Sequence, residues 1–405
     1  MLRVLAITKI FPNSAEPLAA PFNRQQFAAL REHCDLSILA TIPWFPGAGL
    51  LSKWSTAGKL ANVPRRERIH GMDVTHPRTL FLPKLAMATW GPLYAASIAP
   101  SLAPYRNKVD LVLGTWAYPD GFASVIAARI LGVPAVVKLH GSDINLIAKE
   151  PGPRRLTSWA LPQAARVVAV SRALADEVVA MGVDRERVAI VMNGVDGELF
   201  KPRDRAAARA ELGLPAGPLA VYVGNLKLEK GVLDLGKAWA NVARHVPDAT
   251  LLVVGDGPLK DQLESMTKPP PRHGGERSGV AGALTERVRL IARQPLDRIP
   301  SYLAAADILV LPSHCEGTPN VVLEALASGR RVVATAVGGV PDLITSPTLG
   351  TLVPPRDPDA LADAIMIALR ESYDANAVAR LGARGGWAAS AAALHAVLKE
   401  AAMVH

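Results

Sequence analysis

Two carboxylates eight residues apart, Glu316 and Glu324, bracket the sequence Gly-Thr-Pro-Asn-Val-Val-Leu. A turn that leads into a helix presents unpaired backbone N–H groups and the positive end of the helix dipole, and both stabilise a phosphate. Carboxylates on either side of such a turn accept hydrogen bonds from hydroxyl groups. The spacing therefore indicates a site for phosphate and sugar hydroxyls together. The alternative is one solvated loop charge and one ordinary helix residue.

The surrounding residues predict the elements that hold this pair. The run Asp307-Ile-Leu-Val-Leu-Pro-Ser is typical of a buried strand, and Gly317 and Pro319 end it. Residues 320–327 then predict the start of a helix. Glu316 is expected in the strand-to-helix loop, with Glu324 about one turn into the helix.

A second loop also has the composition of a phosphate site. The predicted strand 219–223 is followed by a loop bounded by Gly224 and Gly231, with Lys227 and Lys230 inside it. Glycine allows close approach of the backbone and lysine supplies positive charge, although a solvated turn has the same composition. The later Gly255-Asp-Gly sequence lacks the third glycine of a dinucleotide fingerprint and is weak evidence.

In the first half of the chain, His140-Gly-Ser-Asp143 follows a predicted strand that ends at Leu139. Open α/β folds bind ligands at the carboxyl ends of parallel strands, so His140 is placed to polarise a hydroxyl. A structural histidine is the alternative. Asn193 follows another predicted strand, in a sequence that also fits a simple turn.

Length and composition predict a folded protein of two domains. The chain has 405 residues, of which 50% are hydrophobic and 20% charged. Its two cysteines, Cys34 and Cys315, are far apart, which favours a reducing cytosol and argues against a structural metal. The first residues predict a strand rather than a signal peptide. Residues 85–105 are uncharged but contain three prolines, which favours a buried or interfacial helix over a membrane span.

Charge is unevenly distributed. Residues 1–198 contain 22 Lys and Arg against 15 Asp and Glu, whereas the remainder contains 23 against 21. A basic first half favours an anionic partner, such as a membrane surface or a phosphate-bearing acceptor. No helix-turn-helix, zinc pattern or basic-aromatic interleaving is present in the sequence, so nucleic acid is not an expected partner.

Short apolar runs alternate with alanine-rich helical stretches along the chain, which predicts parallel sheets covered on both faces. The breaker-rich residues 268–282 predict a surface loop, and residues 387–402 predict a final helix. A composition shift at 200–205 predicts a linker between two α/β units.

The complete set of motifs resembles the family 4 retaining glycosyltransferases of the GT-B fold, and the match covers nearly the whole chain in the right order. The motifs include, besides the sequences above, Phe11-Pro, Leu311-Pro-Ser and Gly338-Gly-Val-Pro. The resemblance implies two Rossmann-like domains with parallel sheets facing across a cleft. Residues 1–200 would form the acceptor-side domain, with 378–405 packing back on it, and residues 201–377 the donor domain.

The resemblance also implies roles for individual residues. Glu316 would contact the donor sugar, Lys230 the diphosphate, and His140 the sugar from the opposite wall, and these three are the expected catalytic residues. Glu324 would bind the ribose. The remaining donor-site residues would be Gly224, Asn225, Lys227, Thr318, Asn320 and Val321, the last two through backbone amides on phosphate, and Asp143 and Asn193 would lie on the acceptor side.

The activity implied by the resemblance is transfer of a hexose from a UDP- or GDP-sugar, with retention at the anomeric carbon and without a metal or other cofactor. The acceptor would be a polysaccharide or lipid-linked glycan at the inner membrane face. Asp357-Pro-Asp359 is the sequence's Asp-x-Asp pair, and it is typical of a helix start. Aromatic residues at Trp44, Phe45, Trp54 and Trp90 are candidates for peripheral membrane contact, although core packing is the commoner role of such residues.

Three positions depart from the family pattern. Asn225 stands where many members have Arg, Pro319 stands where many have Gly, and the Gly-Gly pair after the first strand is absent. The departures at Asn225 and Pro319 leave open a catalytically degenerate nucleotide-sugar-binding protein. A nucleotide-sugar epimerase on the same two-domain architecture is the alternative within enzymes. No residue stands out as a nucleophile, so front-face attack assisted by the leaving phosphate is the expected mechanism.

Overall fold

The structure is a computed structural model that describes residues 1–51, 56–81, 87–267, 287–383 and 385–403. The predicted loop at 268–282 and the predicted membrane contact at Trp54 lie outside the described residues. The chain forms two compact units. Residues 1–194 and 387–405 form the N-terminal unit, and residues 195–386 form the C-terminal unit. The first division falls six residues before the expected boundary at residue 200, and the chain returns to the N-terminal unit at Trp387 rather than at the expected residue 378.

An eight-stranded sheet forms the centre of the N-terminal unit, with strand order β10-β9-β8-β7-β1-β2-β5-β4. Its strands are parallel except for the edge pair of β4 and β5, and β3 and β6 form a separate two-stranded parallel sheet. The strands are β1 Arg3–Thr8, β2 Asp35–Ala40, β3 Ile42–Trp44, β4 Arg66–Ile69, β5 Met72–Thr75, β6 Arg78–Leu80, β7 Leu111–Thr115, β8 Ala135–Lys138, β9 Arg166–Ala169 and β10 Val188–Ile190. The helices are Pro21–Leu30, Thr56–Ala61, Trp90–Ile98, Phe122–Leu131, Ser142–Asn145, Pro151–Ala160, Arg172–Ala180 and the terminal Gly386–Met403.

Side chains of β1 alternate between two apolar cores because successive residues of a strand point to opposite faces. Leu5 and Ile7 belong to one core, whereas Val4 and Ala6 belong to the other. The terminal helix covers the second face with fully buried side chains at a spacing of three and four residues, namely Ala391, Leu394, Leu398 and Ala401.

The C-terminal unit contains a six-stranded, wholly parallel sheet of order β13-β12-β11-β14-β15-β16. In sequence order this is the 3-2-1-4-5-6 arrangement of a Rossmann fold. The strands are β11 Leu219–Val223, β12 Thr250–Val254, β13 Val288–Ile291, β14 Ile308–Leu311, β15 Arg331–Thr335 and β16 Gly350–Val353. The helices are Arg205–Glu211, Val232–His245, Lys260–Thr267, Ile299–Ala305, Asn320–Ala327, Val340–Leu343, Pro358–Arg370 and Ala375–Gly382.

Several local predictions are confirmed. The helix predicted from Asn320 to Ala327 has those bounds, and Asp357 caps the helix that follows it by accepting a hydrogen bond from the Ala360 N–H at 2.9 Å. The uncharged stretch 85–105 is described from residue 87 onward and contains the helix Trp90–Ile98, whose Tyr94 and Ile98 are buried.

Among the helices that the structure describes, none is long and apolar enough to cross a membrane.

Candidate functional site

The carboxyl ends of β11 and β14 place the two predicted phosphate loops side by side. These strands are neighbours, but the chain proceeds outward from them in opposite directions, from β11 to β12 and from β14 to β15. Open α/β sheets bind ligands outside the carboxyl ends of the strands at such a reversal. Residues 224–231 follow β11 and residues 312–319 follow β14, so both loops lie at this point.

Glu316 and Lys230 form an ion pair that joins the two loops. The Lys230 Nζ lies 2.8 and 2.9 Å from the two carboxylate oxygens of Glu316, and the Ser313 hydroxyl donates to Glu316 Oε1 at 2.6 Å. Glu316 is 8% exposed, whereas Lys230 is half-buried. The pair therefore fixes both side chains at the mouth of the loops, in a setting less screened than the surface.

Two glycines with positive φ permit this close packing of loops. A Cβ on Gly231, at φ +64°, would lie 1.9 Å from the carbonyl oxygen of Pro312. A Cβ on Gly338, at φ +53°, would lie 1.9 Å from the carbonyl oxygen of Glu316. Both distances are far inside van der Waals contact, so the position of the Glu316 loop depends on the absence of side chains at these two residues.

The helix Asn320–Ala327 begins directly after this loop. Its N-cap is Pro319, in extended conformation and without a side-chain capping hydrogen bond. The first amides of a helix lack intrahelical partners, which makes the amides of Asn320 and Val321 suited to an anion. Thr318 is buried beside them at 7% exposure. Pro319 has no N–H to add.

Glu324 lies one turn into this helix and is half-buried. Within the described part of the chain, its carboxylate has no hydrogen-bond or ion-pair partner. Burial raises the pKa of Glu324 from its ordinary value of 4.5 to about 7. A carboxylate kept without a protein partner next to a helix start is suited to accept hydrogen bonds from ligand hydroxyls.

The other predicted residues of the loop after β11 lie at or near the surface. Asn225 and Lys227 are exposed and Gly224 is half-buried. The Tyr222 hydroxyl donates to the Asn225 carbonyl oxygen at 2.8 Å, which fixes the backbone there. The structure therefore brings together Glu316, Lys230 and Thr318. Glu324 lies on the adjoining helix, and Asn225 and Lys227 are exposed in the loop that contains Lys230.

In the N-terminal unit, His140 lies at the carboxyl end of β8, where the sequence predicts it. Its ring stacks on Trp116 with centroids 5.8 Å apart and tilts against Phe22 at 4.9 Å. Its Nε2 is buried without a hydrogen-bond partner among the described residues. Burial and the nearby Lys138 lower the pKa of His140 well below its ordinary value, so the ring is neutral at physiological pH.

Asp143 and Asn193 both have structural contacts. The Asp143 carboxylate is fully buried and accepts backbone N–H groups of Ala117 at 2.8 Å and Gly141 at 2.7 Å. It thereby holds the His140 loop against the segment after β7. Asn193 is 5% exposed, and its Oδ1 accepts from Lys138 Nζ at 3.4 Å.

Charged groups that sequence reasoning did not identify lie at the same edge of the N-terminal sheet. Lys9 follows β1, Asp120 lies shortly after β7, and Lys138 ends β8. Lys138 is 1% exposed and bonds the neutral Oε1 of Gln26 at 2.6 Å, and burial lowers its pKa to about 7. Their position at or shortly after the ends of predicted strands was the available signal, because burial of a charge without an ionic partner leaves no mark in the sequence.

No group of three or more His, Cys, Asp or Glu side chains in the described ranges is arranged to hold a metal ion.

Comparison with known proteins identifies the family. The family described as "Glycosyltransferase Family 4" matches residues 13–199, and "Glycosyl transferases group 1" matches residues 217–371. TuaC of Bacillus subtilis, a glycosyltransferase assigned to teichuronic acid biosynthesis, is 30% identical over 372 residues, which are 90% of this chain and 88% of TuaC.

Solved structures share the fold over the full length. Sucrose-phosphate synthase from Thermosynechococcus elongatus has a TM-score of 0.73 at 20% identity and covers 99% of this chain and 97% of its own. Anabaena Alr3699/HepE, solved in complex with UDP-glucose, has a TM-score of 0.68 at 21% identity and covers 100% of this chain and 99% of its own. From the two family matches, the relationship to TuaC and the paired parallel sheets, we conclude that the chain belongs to the family 4, group 1 glycosyltransferases and has their GT-B fold, with two Rossmann-like domains.

Proposed function

We propose that the protein is a retaining, metal-independent hexosyltransferase that uses a UDP- or GDP-sugar as donor and a polysaccharide or lipid-linked glycan as acceptor. The observation that carries this proposal is the arrangement at the β11/β14 reversal. There the Glu316–Lys230 pair joins the loop before the helix Asn320–Ala327 to the loop after β11. Glu324, whose carboxylate has no partner among the described residues, lies one turn into that helix. The UDP-glucose complex of the structurally similar HepE supports a nucleoside diphosphate sugar as donor.

The proposed donor contacts divide by charge. Lys230 and the amides of Asn320 and Val321 supply positive charge for the diphosphate. Glu324 accepts hydrogen bonds from the ribose hydroxyls, and Glu316 accepts them from the transferred sugar. Gly224, Asn225, Lys227 and Thr318 line the rest of the donor site. Because Lys230 already contacts Glu316, binding of the diphosphate and of the sugar would be coupled through this one pair.

The proposed reaction breaks the bond between the anomeric carbon and the diphosphate oxygen, and forms the bond to the acceptor oxygen on the same face. The acceptor hydroxyl proton passes to the departing diphosphate. Lys230 and the helix amides stabilise the negative charge that develops on that diphosphate, and such preorganised donors are typically the largest catalytic contribution. His140, neutral and with Nε2 unpartnered among the described residues, hydrogen-bonds a hydroxyl of the transferred sugar.

The proposed acceptor is a glycan at a membrane surface. The assignment of TuaC to teichuronic acid biosynthesis supports a glycan polymer as acceptor. A cytoplasmic location with peripheral contact to an anionic membrane belongs to the same proposal. Trp44, which is 36% exposed, is the residue available for that contact. Cosedimentation with anionic vesicles at low and high salt tests that contact, and the absence of binding at both would remove it.

Thermal unfolding of the protein with UDP-, GDP-, ADP- and dTDP-sugars tests the donor site. A ligand present at a hundred times its dissociation constant stabilises the state that binds it by about 2.7 kcal/mol, which corresponds to a shift of a few degrees. We expect one base class to stabilise the parent protein, and Glu324→Ala to lose that response. Asp363→Ala is the control, because Asp363 is an exposed carboxylate of the same unit.

Activity measurements separate transfer from binding alone. We expect release of the nucleoside diphosphate to depend on acceptor, to persist with chelator, and to give a product with the donor's anomeric configuration by NMR. Stabilisation by a donor without any release would show a binding protein instead. An inverted product would contradict the retaining mechanism.

A further inference from the structure

The N-terminal sheet has its own reversal point, between β1 and β7. These strands are neighbours, and the chain proceeds from β1 to β2 on one side and from β7 to β8 on the other. Lys9 and Trp116 are the first residues after the two strands. By the general rule for open α/β sheets, this is where a second ligand would be bound. Apart from His140, the residues assigned to the donor lie in the other unit.

Lys9 places an ammonium group at this point that forms no ion pair with any described residue. Its side chain is half-buried, and its Nζ lies 5.6 Å from the centroid of the Trp116 ring. None of the described residues forms a hydrogen bond or an ion pair with the Lys9 ammonium group. Burial lowers the pKa of Lys9, and the more distant charges of Asp120 and Asp143 oppose that effect.

The Asp120 carboxylate does not form an ion pair with the Lys9 side chain. Its Oδ2 accepts the backbone N–H of Lys9 at 2.8 Å, whereas its Oδ1 is buried and without a hydrogen-bond partner in the described ranges. A lysine that served only to neutralise this fully buried carboxylate would place its ammonium on Oδ1. The ammonium instead lies against the aromatic ring. Asp120 positions the Lys9 backbone and attracts the ammonium from beyond ion-pair distance, so this carboxylate does not occupy the hydrogen-bond donors of the ammonium.

Trp116 is held in an unusual conformation beside it. Its φ is +132°, a region that bulky side chains rarely adopt. The backbone is fixed on both sides, since its N–H donates to the Lys138 carbonyl at 2.8 Å and its carbonyl accepts from the Gly121 N–H at 2.7 Å. Its Nε1 is buried without a partner among the described residues. Strained residues that the surrounding structure enforces cluster at ligand sites.

We propose that Lys9, lying against the Trp116 ring at the β1/β7 reversal, determines acceptor specificity by donating to an anionic oxygen of the acceptor, in a phosphate or a carboxylate group. The inference rests on the proposed function for the identity of the ligand as acceptor. It goes further by assigning the acceptor a negative charge and naming the residue that recognises it. A half-buried ammonium is suited to this task because its charge is screened less than a surface lysine's.

Three probes with the same ring test the proposal: glucose 6-phosphate, glucuronate and glucose. Dissociation constants are measured by ligand-observed NMR titration of the full chain. The variants are Lys9→Gln, which removes the charge, Lys9→Arg, which keeps it, and Lys108→Gln as control. Lys108 is an exposed cation of the same unit. It lies just before β7, at the amino ends of the parallel strands, whereas Lys9 lies at their carboxyl ends. Thermal unfolding confirms that each variant is folded.

We expect the parent to bind at least one anionic probe about tenfold or more tightly than glucose, as a charge-assisted hydrogen bond allows. Lys9→Gln should reduce that binding to the level of glucose, while Lys9→Arg and Lys108→Gln retain it. Preference for glucose 6-phosphate would identify phosphate as the group recognised, and preference for glucuronate would identify carboxylate.

The proposal is overturned if the parent binds all three probes equally, if it binds neither anion, if Lys9→Gln binds as the parent does, or if Lys108→Gln loses as much as Lys9→Gln. Donor-induced stabilisation, measured separately, should be unchanged in Lys9→Gln. A protein that shows no donor response but Lys9-dependent anion binding would keep this subsite and lose the proposed transferase function.

Discussion

Glu324 combines two properties that are costly in a folded protein: it is half-buried, and it has no partner among the described residues. Its pKa of about 7 means that both protonation states are populated near neutral pH. Hydroxyl groups of a bound ribose donate to the ionised form. The proposed ligand contact is therefore one whose strength depends on pH.

This property leads to a prediction for donor binding. Between about pH 6 and pH 8 the ionised fraction of Glu324 rises several-fold, so donor affinity should rise by up to about tenfold over that range. Isothermal titration at the two pH values measures it. Glu324→Gln should bind donor weakly and without this dependence; an equally steep pH dependence in that variant would assign the titration to another group.

Protein stability should change in the opposite direction. The folded-state pKa lies above the unfolded value of 4.5, so the folded state binds more protons between about pH 4.5 and 7. The contribution of Glu324 to the free energy of unfolding therefore falls as pH rises through this window. Denaturant unfolding across the window measures this fall, which should be smaller in Glu324→Gln.

Individual residues are predictable from the sequence where their spacing is recognisable, and they are missed where their role depends on their surroundings. The pair of Glu316 and Glu324 follows from eight-residue spacing around a turn. Lys9 and Lys138 are ordinary lysines in the sequence, and only the structure shows that neither has an anionic partner in the described part of the chain. Burial and pairing depend on contacts between strands distant in sequence, which composition does not encode.

Among the loops and helices, the Glu316 loop shows how a close backbone approach sets a site. Gly338 packs against the Glu316 carbonyl, and the Gly339 N–H donates to the Gly317 carbonyl at 2.7 Å. The loop after β15 thus supports the loop after β14. A side chain at 338 would move the carboxylate that the Lys230 ammonium contacts.

We therefore predict that Gly338→Ala abolishes the donor-induced thermal shift. Gly213→Ala is the matched control, because Gly213 has φ +60° but no heavy atom lies within 4 Å of the position that a Cβ would occupy there. Both variants carry the left-handed backbone penalty of about 1–2 kcal/mol, and only Gly338→Ala also carries the clash. Equal effects of the two variants on donor binding would show that backbone strain alone matters.

Element boundaries follow from the sequence where the apolar runs are continuous. β11 has the predicted bounds, 219–223, because it is a buried apolar run that is ended by a glycine. The antiparallel edge pair of β4 and β5 was not predicted. Its exposed strand Arg66–Ile69 contains three charged residues and a single apolar one, so hydrophobic periodicity is weak there.

For the molecule as a whole, the terminal helix contributes a core face that the first 194 residues lack. Leu394 and Leu398 are fully buried against the face of the sheet that carries Val4 and Ala6. The Ser390 hydroxyl adds a hydrogen bond to the Met192 carbonyl at 2.6 Å. The N-terminal unit is therefore built from two separate stretches of chain.

We predict that Leu398→Ala lowers the free energy of unfolding by about 2–5 kcal/mol, as typical for a buried leucine. Leu381→Ala is the same substitution at a residue that is 55% exposed, and it should change the free energy by less than about 0.5 kcal/mol. Denaturant unfolding measures both. Similar values for the two variants would contradict the packing of the helix on this sheet.

Two α/β units were predictable from length and from the alternation of strands and helices. The boundary at 200 differs from the observed division because the composition shift there does not mark a loose linker. Phe200 is 2% exposed, and the Arg203 carbonyl accepts a hydrogen bond from the buried Arg330 at 3.2 Å. Tertiary contacts thus assign residues 195–204 to the C-terminal unit.

The assembly of the N-terminal unit from two stretches of chain has a consequence for biosynthesis. Residues 195–386 form one uninterrupted unit and can complete their fold as soon as they leave the ribosome. We expect the sheet begun at Arg3 to lack one side of its core until residues 387–403 are made, and to expose an apolar face until then. The domain that is translated first is therefore the one that matures last.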